Sequence, residues 1–289
     1  MLFGLGKKEK EELVRVNKEL VERNRELDEV AKMLVKRDLE LTRANERLED
    51  LDEAKSQFVS VAAHQLRTPL TGIKWTLYAL IKEEVGTLNV EQKKLAQDAY
   101  KANERLIELI RDLLDVARLE EGRFGFELKK TELLPLVEKV KEKFQEQAKQ
   151  KGVALQLVMS KEKLPLLLLD GEKIAIALEN FVDNALKYTP PGGKVILRVI
   201  KEKERIIGEI KDTGIGIPKE EISKLFTKFF RAANAQLFQT SGTGLGLYLA
   251  RNIIKHHGGT VYVESEEQKG TTISFSLPVS SSRANYPNV

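Results

Sequence analysis

One histidine of this sequence stands in a setting that suits chemistry. His64 lies within SVAAHQLRTPLTG, with Gln65 beside it, Thr68 one helical turn later and Pro69 next. Inside a helix, a proline removes a backbone hydrogen bond and kinks the axis, which destabilises the helix. A destabilising residue so close to a histidine is unusual. The sequence has three histidines and the other two are adjacent, so a site with several histidine ligands is not expected. His64 is therefore a core residue, a surface residue or a group that reacts.

Helical periodicity places His64 away from the core. Apolar residues recur at spacings of three and four along this segment: Val59, Ala62, Leu66, Leu70, Ile73, Leu77 and Leu80. At about 100° per residue, His64 falls roughly 160° from the centre of this stripe. We therefore expect its imidazole to face solvent.

Polar side chains on another expected helix, within ENFVDNALKYTPPGG, suit a metal ion and a phosphate. Asn180, Asn184 and Lys187 share one flank of its apolar stripe. The stripe consists of Ile174, Leu178, Phe181 and Ala185. An asparagine carbonyl oxygen is a suitable ligand for Mg²⁺, and a lysine pairs with phosphate. The alternative is that the amides cap neighbouring loops. Glu179 and Asp183 fall on a more exposed face and are expected to be solvated.

The segment DTGIGIP is a third candidate. Asp212 ends an expected strand, and Gly214 and Gly216 follow it. Such a carboxylate can accept a hydrogen bond from an amine while the glycine backbone comes close to a ring. An ordinary glycine turn is the alternative.

The segment SGTGLGLYLARNIIKHHGG is a fourth candidate, because Gly242, Gly244 and Gly246 open an expected helix. Free N–H groups and the helix dipole at such an N-terminus cradle phosphate. The spacing is not that of the dinucleotide-binding fingerprint. His256 and His257, near the end of this helix, are expected to complement its dipole or to be structural.

The apolar spacing in about the first two fifths of the sequence predicts helices that would position His64. Leucine recurs every seven residues, which indicates a coiled coil: Leu13, Leu20, Leu27, Leu34, Leu41 and Leu48. Polar residues at the a positions, such as Asn17 and Asn24, favour a parallel dimer, and one long surface helix is the alternative. The stripe around His64, the break EEVGTLN and a second stripe from Leu95 to Val116 predict a helical hairpin. Two hairpins would form a four-helix bundle across a dimer.

Beyond about residue 125 the pattern becomes mixed. The segments FGFELKKTEL, VALQLVM, KVILRVI, RIIGEIKD, TVYVESE and GTTISFSLP alternate like strands. Helices are expected at about 172–188 and 245–257. Together these elements predict an α+β sandwich, a sheet with helices packed on one face.

Composition limits the function classes. The 289 residues are 32% charged, carry a net charge of +4 and include no cysteine. The small net charge implies no strong nucleic-acid or membrane field. The lack of cysteine removes disulfides, zinc–thiolate sites and thiol nucleophiles, and it fits a reducing compartment. No apolar run approaches the roughly 20 residues that span a bilayer.

These motifs resemble one family. FVSVAAHQLRTPLTGIKW resembles the phospho-acceptor box of the sensor histidine kinases of two-component systems, with Gln65 where the usual Glu or Asp stands. ENFVDNALKYTPPGG, DTGIGIP, LFTKFFR and SGTGLGLYLARN resemble, in that order, the N, G1, F and G2 boxes of the same kinases. The resemblance covers about residues 55–278 and implies the Bergerat-type ATP-binding fold that gyrase and Hsp90-like ATPases share.

The resemblance also implies roles for the candidate residues. His64 would accept a phosphoryl group from ATP, and Arg231 would reach the terminal phosphates from an ATP lid at 231–243. In a reverse, dephosphorylating reaction, Thr68 would place a water molecule. Gln65 can hold the imidazole tautomer but cannot take a proton.

For the nucleotide, the resemblance implies that Asn184 is the main Mg²⁺ ligand and that Asn180 is the second asparagine of the N box. Lys187 and Tyr188 would contact phosphate or ribose, and Asp212 would contact the adenine amine. The other ATP-binding residues would be Gly214, Gly216, Gly242, Thr243, Gly244, Leu245 and Gly246.

The expected organisation has four parts. Residues 1–54 form a coiled-coil signalling helix, 55–122 the dimerisation and phospho-acceptor hairpin, 123–280 the α+β ATP-binding domain, and 281–289 a polar tail. The resemblance implies a homodimer that passes the phosphoryl group to an aspartate on a response-regulator receiver domain. No nucleic-acid partner is expected. A cytoplasmic location is expected, and a membrane role only if an N-terminal sensor region is missing from this chain.

Two other functions stay open. A kinase-weakened dimeric scaffold or phosphatase fits the exchange at Gln65. A gyrase- or Hsp90-like ATPase would share the nucleotide site, but it has no use for an exposed His-x-x-x-Thr-Pro helix. Such ATPases typically have a glutamate base where this chain has Asn180, which argues against hydrolysis.

Overall fold

The computed structural model describes residues 6–159, 164–238 and 242–279, without the side chains at 7–9, 55, 56, 58, 60 and 64. The predicted tail, 281–289, therefore lies outside the described residues, as do residues 239–241 of the predicted lid. The chain divides into two units, Met1–Phe58 and Val59–Val289. None of the described helices is both long and apolar enough to cross a membrane.

From Lys7 onward the first unit is helical and belongs to helix α1, Lys7–Ile81. Its heptad leucines leave 52% to 65% of their surface exposed in the single chain: Leu13, Leu20, Leu27, Leu34, Leu41 and Leu48. One copy of the helix thus leaves the apolar stripe uncovered. The coiled-coil dimer stays a prediction.

The second unit begins with a helical hairpin, as the sequence predicts. Helix α1 continues through Pro69, and helix α2, Val90–Glu120, starts at Asn89 with a capping box. The buried apolar contact between the two helices includes Ala63, Ile110 and Leu114, with Leu70 packed against them. Leu66 and Ile73 of the predicted stripe remain 51% and 47% exposed in the single chain. The four-helix bundle across a dimer therefore stays a prediction.

The rest of the second unit is the predicted α+β sandwich. Its helices are α3 (Leu133–Lys151), α4 (Gly171–Tyr188), α5 (Ala233–Phe238) and α6 (Gly246–His256), with a 3-10 helix at Lys219–Lys224. Its strands are β1 (Lys129–Thr131), β2 (Ala154–Met159), β3 (Leu167–Leu169), β4 (Lys194–Glu202), β5 (Arg205–Asp212), β6 (Thr260–Glu266) and β7 (Gly270–Pro278). The main sheet has the order β2-β4-β5-β7-β6, in which the β2–β4 pair is parallel and the other pairs are antiparallel.

One face of this sheet carries the core. Alternate residues of β4, namely Val195, Leu197 and Val199, are buried, because successive side chains of a strand point to opposite faces. Helix α4 packs on the buried face, where Phe181 stacks on Phe275 of β7 with ring centroids 6.1 Å apart. The sheet therefore holds α4 against the end of β5, where the candidate site lies.

The segment FGFELKKTEL differs from its prediction, because only Lys129–Thr131 within it forms a strand, β1, which pairs with β3. Phe126 instead stacks on the ring of His256 at 4.7 Å and meets His257 edge-on at 5.5 Å. The alternation in the sequence comes from aromatic rings that pack beside α6 rather than from strand pairing.

His257 was predicted either to complement the dipole of its helix or to be structural, and it is structural. Its Nε2 accepts the Asp170 N–H at 3.0 Å, and its Nδ1 lies 2.7 Å from the Ile253 carbonyl oxygen. Burial lowers the pKa of this imidazole, so the ring is neutral and Nδ1 carries the proton. A neutral ring adds no charge to the helix dipole.

Candidate functional site

Asp212 is a buried carboxylate at the end of β5, only 7% exposed. Its Oδ1 accepts the Gly214 N–H at 2.8 Å and the Thr271 N–H at 3.1 Å. Burial raises the pKa of Asp212 to about 6, although both N–H groups favour the ionised form. Because both backbone donors end on Oδ1, Oδ2 is the oxygen that can receive a donor from a ligand.

Thr271 is a part of this site that the sequence analysis missed. It lies 59 residues after Asp212. The two positions meet because β5 and β7 are antiparallel neighbours, with Lys211 opposite Thr272. The strand pattern predicts both strands but does not say which strands pair.

The loop after Asp212 touches the end of helix α4. The Ile215 N–H donates to the Tyr188 carbonyl oxygen at 3.1 Å. A Cβ atom at position 214 would lie 2.4 Å from that same oxygen, so only glycine permits this approach. Gly216 has a φ of +64°, and a Cβ atom there would lie 2.0 Å from the Glu266 carbonyl oxygen. The predicted residues Asp212, Gly214, Gly216 and Tyr188 therefore belong to one site.

The two asparagines of helix α4 use their amide nitrogens within the helix. Asn180 Nδ2 donates to the Ile176 carbonyl at 2.9 Å, and Asn184 Nδ2 donates to the Asn180 carbonyl at 2.7 Å. These bonds do not cap neighbouring loops, so that alternative is wrong for the amide nitrogens. They fix each amide so that its carbonyl oxygen is the atom left for a ligand. Within the described residues, no group of three or more His, Asp or Glu side chains could hold a metal ion.

Lys187 and Asp183 form an ion pair, with Nζ and Oδ2 2.5 Å apart. Glu179 also pairs, with Lys143 at 2.7 Å. The side chains of Asp183 and Glu179, which were predicted to be solvated, remain 30% and 32% exposed within these ion pairs. Lysine four residues after aspartate lies on the same helix face, which explains the first pair. Burial lowers the pKa of Lys187, but the Asp183 carboxylate and Glu108 outweigh it and raise the pKa overall. Lys187 is therefore charged, and a phosphate would compete with Asp183 for it.

The glycine-rich segment brings a loop and the start of α6 beside α4. Gly244 has a φ of +69°, and a Cβ atom there would lie 2.7 Å from the Phe229 carbonyl carbon. A Cβ atom at Gly246 would lie 2.1 Å from Asn180 Oδ1. A Cβ atom at Gly242 would lie 3.5 Å from Arg231 Nε, so the predicted lid arginine stands next to this loop.

Thr243 organises the same loop. Its Oγ1 accepts the Leu245 N–H at 3.2 Å and donates to Asp112 Oδ2 at 2.8 Å. Leu245 itself is fully buried. Burial raises the pKa of Asp112, a residue of α2 that the sequence analysis did not select. Glu120, also on α2, accepts a hydrogen bond from the Tyr248 hydroxyl at 2.9 Å. These contacts join α2 to the glycine-rich segment.

The phospho-acceptor candidates lie elsewhere on the hairpin. The backbone of His64 is helical, but its side chain is outside the described residues, so its predicted exposure stays a prediction. Gln65 and Thr68 are exposed, and their side chains form no hydrogen bond within the part of the chain that the structure describes. The structure thus gathers the nucleotide candidates into one site, while these two side chains of α1 stand free of it.

Comparisons with known proteins agree with both parts of the second unit. Residues 54–122 match the family model "His Kinase A (phospho-acceptor) domain". Residues 169–281 match "Histidine kinase-, DNA gyrase B-, and HSP90-like ATPase". Residues 169–281 contain helices α4 to α6, the 3-10 helix and strands β4 to β7. The ATP-binding type of the α+β domain is therefore supported by sequence as well as by its geometry.

Among curated relatives, sensor histidine kinase WalK of Bacillus subtilis is 34% identical over 80% of this chain and 38% of its own length. The circadian input-output histidine kinase CikA of Synechococcus elongatus is 33% identical over 78% of this chain and 30% of its own length. The chain thus spans only a third or so of the length of these relatives.

Among solved structures, full-length ShkA in complex with AMPPNP is 28% identical, with a TM-score of 0.63 over 77% of this chain and 45% of that chain. Histidine kinase ThkA in complex with response regulator protein TrrA is 23% identical, with a TM-score of 0.56 over 78% of this chain and 61% of that chain, and shows the shared fold.

Proposed function

Since this chain belongs to the sensor histidine kinases of two-component systems, we propose that it binds Mg·ATP in the site around Asp212 and phosphorylates its own His64. One observation carries the nucleotide part of the proposal. The flank of α4, the buried carboxylate at the end of β5 and the glycine-rich start of α6 converge on one place.

The residues of this site suit the parts of ATP. Asp212 Oδ2 accepts a hydrogen bond from the adenine amine, because both backbone donors already occupy Oδ1. Lys187 is charged and half-buried, so it pairs with a phosphate in place of Asp183. The N–H groups at the start of α6, from Gly246 onward, face the phosphates with the positive end of the helix dipole. Tyr188 contacts ribose or phosphate beside Lys187.

The donor set also fits Mg²⁺. This ion is commonly held by one or two protein carboxylates together with substrate phosphates and water, and an asparagine carbonyl oxygen is a hard oxygen ligand of the same kind. Asn184 would hold it through Oδ1, with Asn180 beside it, because both amide nitrogens are engaged within α4. When bound, the ion would neutralise negative charge on the phosphates.

The proposed reaction forms one bond and breaks one, and the Nδ1 proton of the resulting imidazolium is then lost to water, because the Gln65 amide cannot take it. The Nε2 atom of His64 forms a bond to the γ-phosphorus, while the bond from that phosphorus to the bridging oxygen breaks and ADP leaves. Gln65 accepts a hydrogen bond from Nδ1–H and so holds the tautomer that leaves Nε2 free to attack. Lys187 and Arg231 stabilise the charge of the transferred group, and most of the catalysis is positioning. The role of His64 rests on the sequence around it.

The later steps of the proposal follow the family. Phosphorylated His64 passes its phosphoryl group to an aspartate of a response-regulator receiver domain, and Thr68 places water when the regulator is dephosphorylated. The kinase acts as a homodimer whose N-terminal coiled coil transmits a signal. A cytoplasmic location, within a longer sensor or alone, is part of the same proposal.

A second candidate function is supported by Gln65. Its exposed amide cannot take a proton from the imidazole, so the chain would be a kinase-weakened scaffold or phosphatase. Such a protein would bind ATP at the same site but would form little phosphohistidine.

The decisive experiment is incubation of the full chain with γ-labelled ATP, followed by acid and alkali treatment. We expect label that is lost in acid and retained in alkali. His64→Gln should abolish the label while ATP binding, measured by calorimetry, is unchanged. His256→Gln is the matched control and should keep the label. Label retained in His64→Gln would exclude His64 as the acceptor, and ATP hydrolysis without labelled protein would favour the gyrase- or Hsp90-like reading.

A further inference from the structure

The last turn of helix α4 is held from outside the helix. Four carbonyl groups at a helix C-terminus have no partner within the helix. Two of the four in α4 are satisfied by its own flanking chain and by the Asp212 loop. Thr189 Oγ1 donates to the Ala185 carbonyl at 2.6 Å, and the Ile215 N–H donates to the Tyr188 carbonyl at 3.1 Å.

The other two carbonyls accept from a single lysine of another helix. Lys151, the last residue of α3, has its Nζ atom 2.6 Å from the carbonyl oxygens of both Leu186 and Lys187. Hydrogen bonds from an ammonium group are stronger than neutral ones, and a positive charge at a helix C-terminus also suits the helix dipole. Lys151 therefore supplies half of the bonds that close this turn.

The backbone around Lys151 fixes its place. Helix α3 ends there because Gly152 adopts the left-handed conformation, with a φ of +70°. The Gly192 N–H donates to the Gly152 carbonyl at 2.8 Å, which ties the end of α3 to the loop after α4. Burial lowers the pKa of Lys151, and the Asp183 carboxylate opposes that shift. The ammonium also lies 5.9 Å from the ring centroid of Phe238, in the predicted lid.

We propose that Lys151 is a positioning residue for the ATP site. By closing the last turn of α4, it holds Lys187 and Tyr188 in place for the nucleotide and keeps the Tyr188 carbonyl against the loop that carries Asp212. This inference rests on the proposed function of that site. Lys151 touches no reacting atom, so its loss should weaken nucleotide binding more than it slows the chemical step.

Three variants of the full chain test this role. Lys151→Met keeps the length of the side chain but cannot donate, whereas Lys151→Arg keeps two donors and the charge. Lys149→Met is the matched control, because it removes the same charge from an exposed position two residues earlier on α3. The measurements are the Kd of Mg·ATP by calorimetry, and KM and kcat for autophosphorylation.

We expect Lys151→Met to raise Kd and KM about tenfold with kcat within about twofold of the parent. Lys151→Arg should stay within about threefold of the parent on both constants, and Lys149→Met should match the parent. A purely structural role would lower the melting temperature without this separation of KM from kcat. If Lys151→Met melts below the assay temperature, Lys151→Gln replaces it, and the same gap to Lys151→Arg is expected.

Several results would overturn the inference. These are parental Kd and KM in Lys151→Met, equal weakening in Lys149→Met, failure of Lys151→Arg to rescue, or a fall in kcat with KM unchanged. If the parent binds ATP and Lys151→Met binds it equally well, the inference alone is wrong. A parent that binds no ATP would remove the proposed function, and this inference with it.

Discussion

At the scale of single residues, Gln65 decides how fast the proposed phosphorylation can be. A carboxylate beside His64 would take the Nδ1 proton and neutralise the imidazolium, whereas an amide can do neither. General-base assistance is typically worth about 10²–10⁴ in rate. We therefore predict a slow but detectable autokinase, and a Gln65→Glu variant that is faster by roughly tenfold or more.

The measurement for Gln65 is the initial rate of phosphohistidine formation at saturating Mg·ATP. Gln65→Asn, which keeps an amide, is the control and should not be faster than the parent. Equal rates for the parent and Gln65→Glu would mean that proton removal does not limit the reaction.

Asp212 should make the stability of the ligand-free protein depend on pH. Its pKa is raised from 3.8 to about 6, chiefly by burial, so the folded state holds the proton more tightly than the unfolded state. Stability contributed by this group is therefore present below about pH 4 and falls as the pH rises towards 6. Because one pKa unit is worth about 1.4 kcal/mol, the ionised carboxylate costs about 3 kcal/mol above that window.

Asp212→Asn should remove this cost. Because the amide oxygen stays with the two backbone N–H groups that now bind Oδ1, the amide nitrogen takes the place of Oδ2 and cannot accept a hydrogen bond from adenine. We predict that the variant melts higher than the parent at pH 8, that this advantage disappears near pH 4, and that its Kd for ATP at pH 8 is at least about tenfold weaker. The measurements are thermal denaturation at both pH values and calorimetry. Parental ATP affinity in the variant would refute the adenine assignment.

At the scale of elements, the junction of α4 and α6 depends on Gly246. A Cβ atom there would lie 2.1 Å from Asn180 Oδ1, the end of a side chain that can move. Gly246→Ala should therefore displace the Asn180 amide and weaken Mg·ATP binding about tenfold or more, with a stability loss of only about 1 kcal/mol.

Gly72→Ala is the matched control for Gly246→Ala. It lies within α1, and a Cβ atom there has nothing within 4 Å. We expect unchanged ATP binding and a stability gain of up to about 1 kcal/mol, since alanine favours a helix interior. Calorimetry and urea unfolding check both variants. Equal ATP binding by Gly246→Ala and the parent would contradict the role of this junction.

At the scale of the whole molecule, the heptad leucines predict a dimer. Leu34 and Met33 are adjacent on α1 and expose 63% and 62% of their surface in the single chain. Only Leu34 occupies a d position. Leu34→Ser should weaken the dimer at least tenfold, because burying a leucine side chain contributes about 1.5–3 kcal/mol per copy.

Met33→Ser is the control for this prediction, because it lies at a c position with the same exposure. Its dimer should keep the parental dissociation constant, measured by sedimentation equilibrium over a dilution series. If the two variants weaken the dimer equally, the heptad register is wrong, and if neither does, this helix is not a dimer interface.

The sequence by itself determined the features that depend on near neighbours. Residues three, four or seven apart share a helix face, so the leucine heptads, the hairpin stripes and the polar flank with Asn180, Asn184 and Lys187 could be predicted from spacing alone. The same spacing rule places Lys187 beside Asp183, four residues earlier, so their ion pair could also have been predicted from the sequence. The four long strands of the sheet also followed from local alternation.

Only the tertiary structure decided which distant groups meet. The second donor to Asp212 is Thr271, which lies 59 residues away in the sequence. The cap on α4 is Lys151, which lies 35 residues before Leu186, whose carbonyl accepts from it. Thr243 donates to Asp112, which lies 131 residues away. No local pattern encodes these contacts, because they arise from the pairing of β5 with β7 and from helix packing. The burial that raises the pKa of Asp212 arises in the same way, since a carboxylate loses its water only when the whole sheet and its helices close around it.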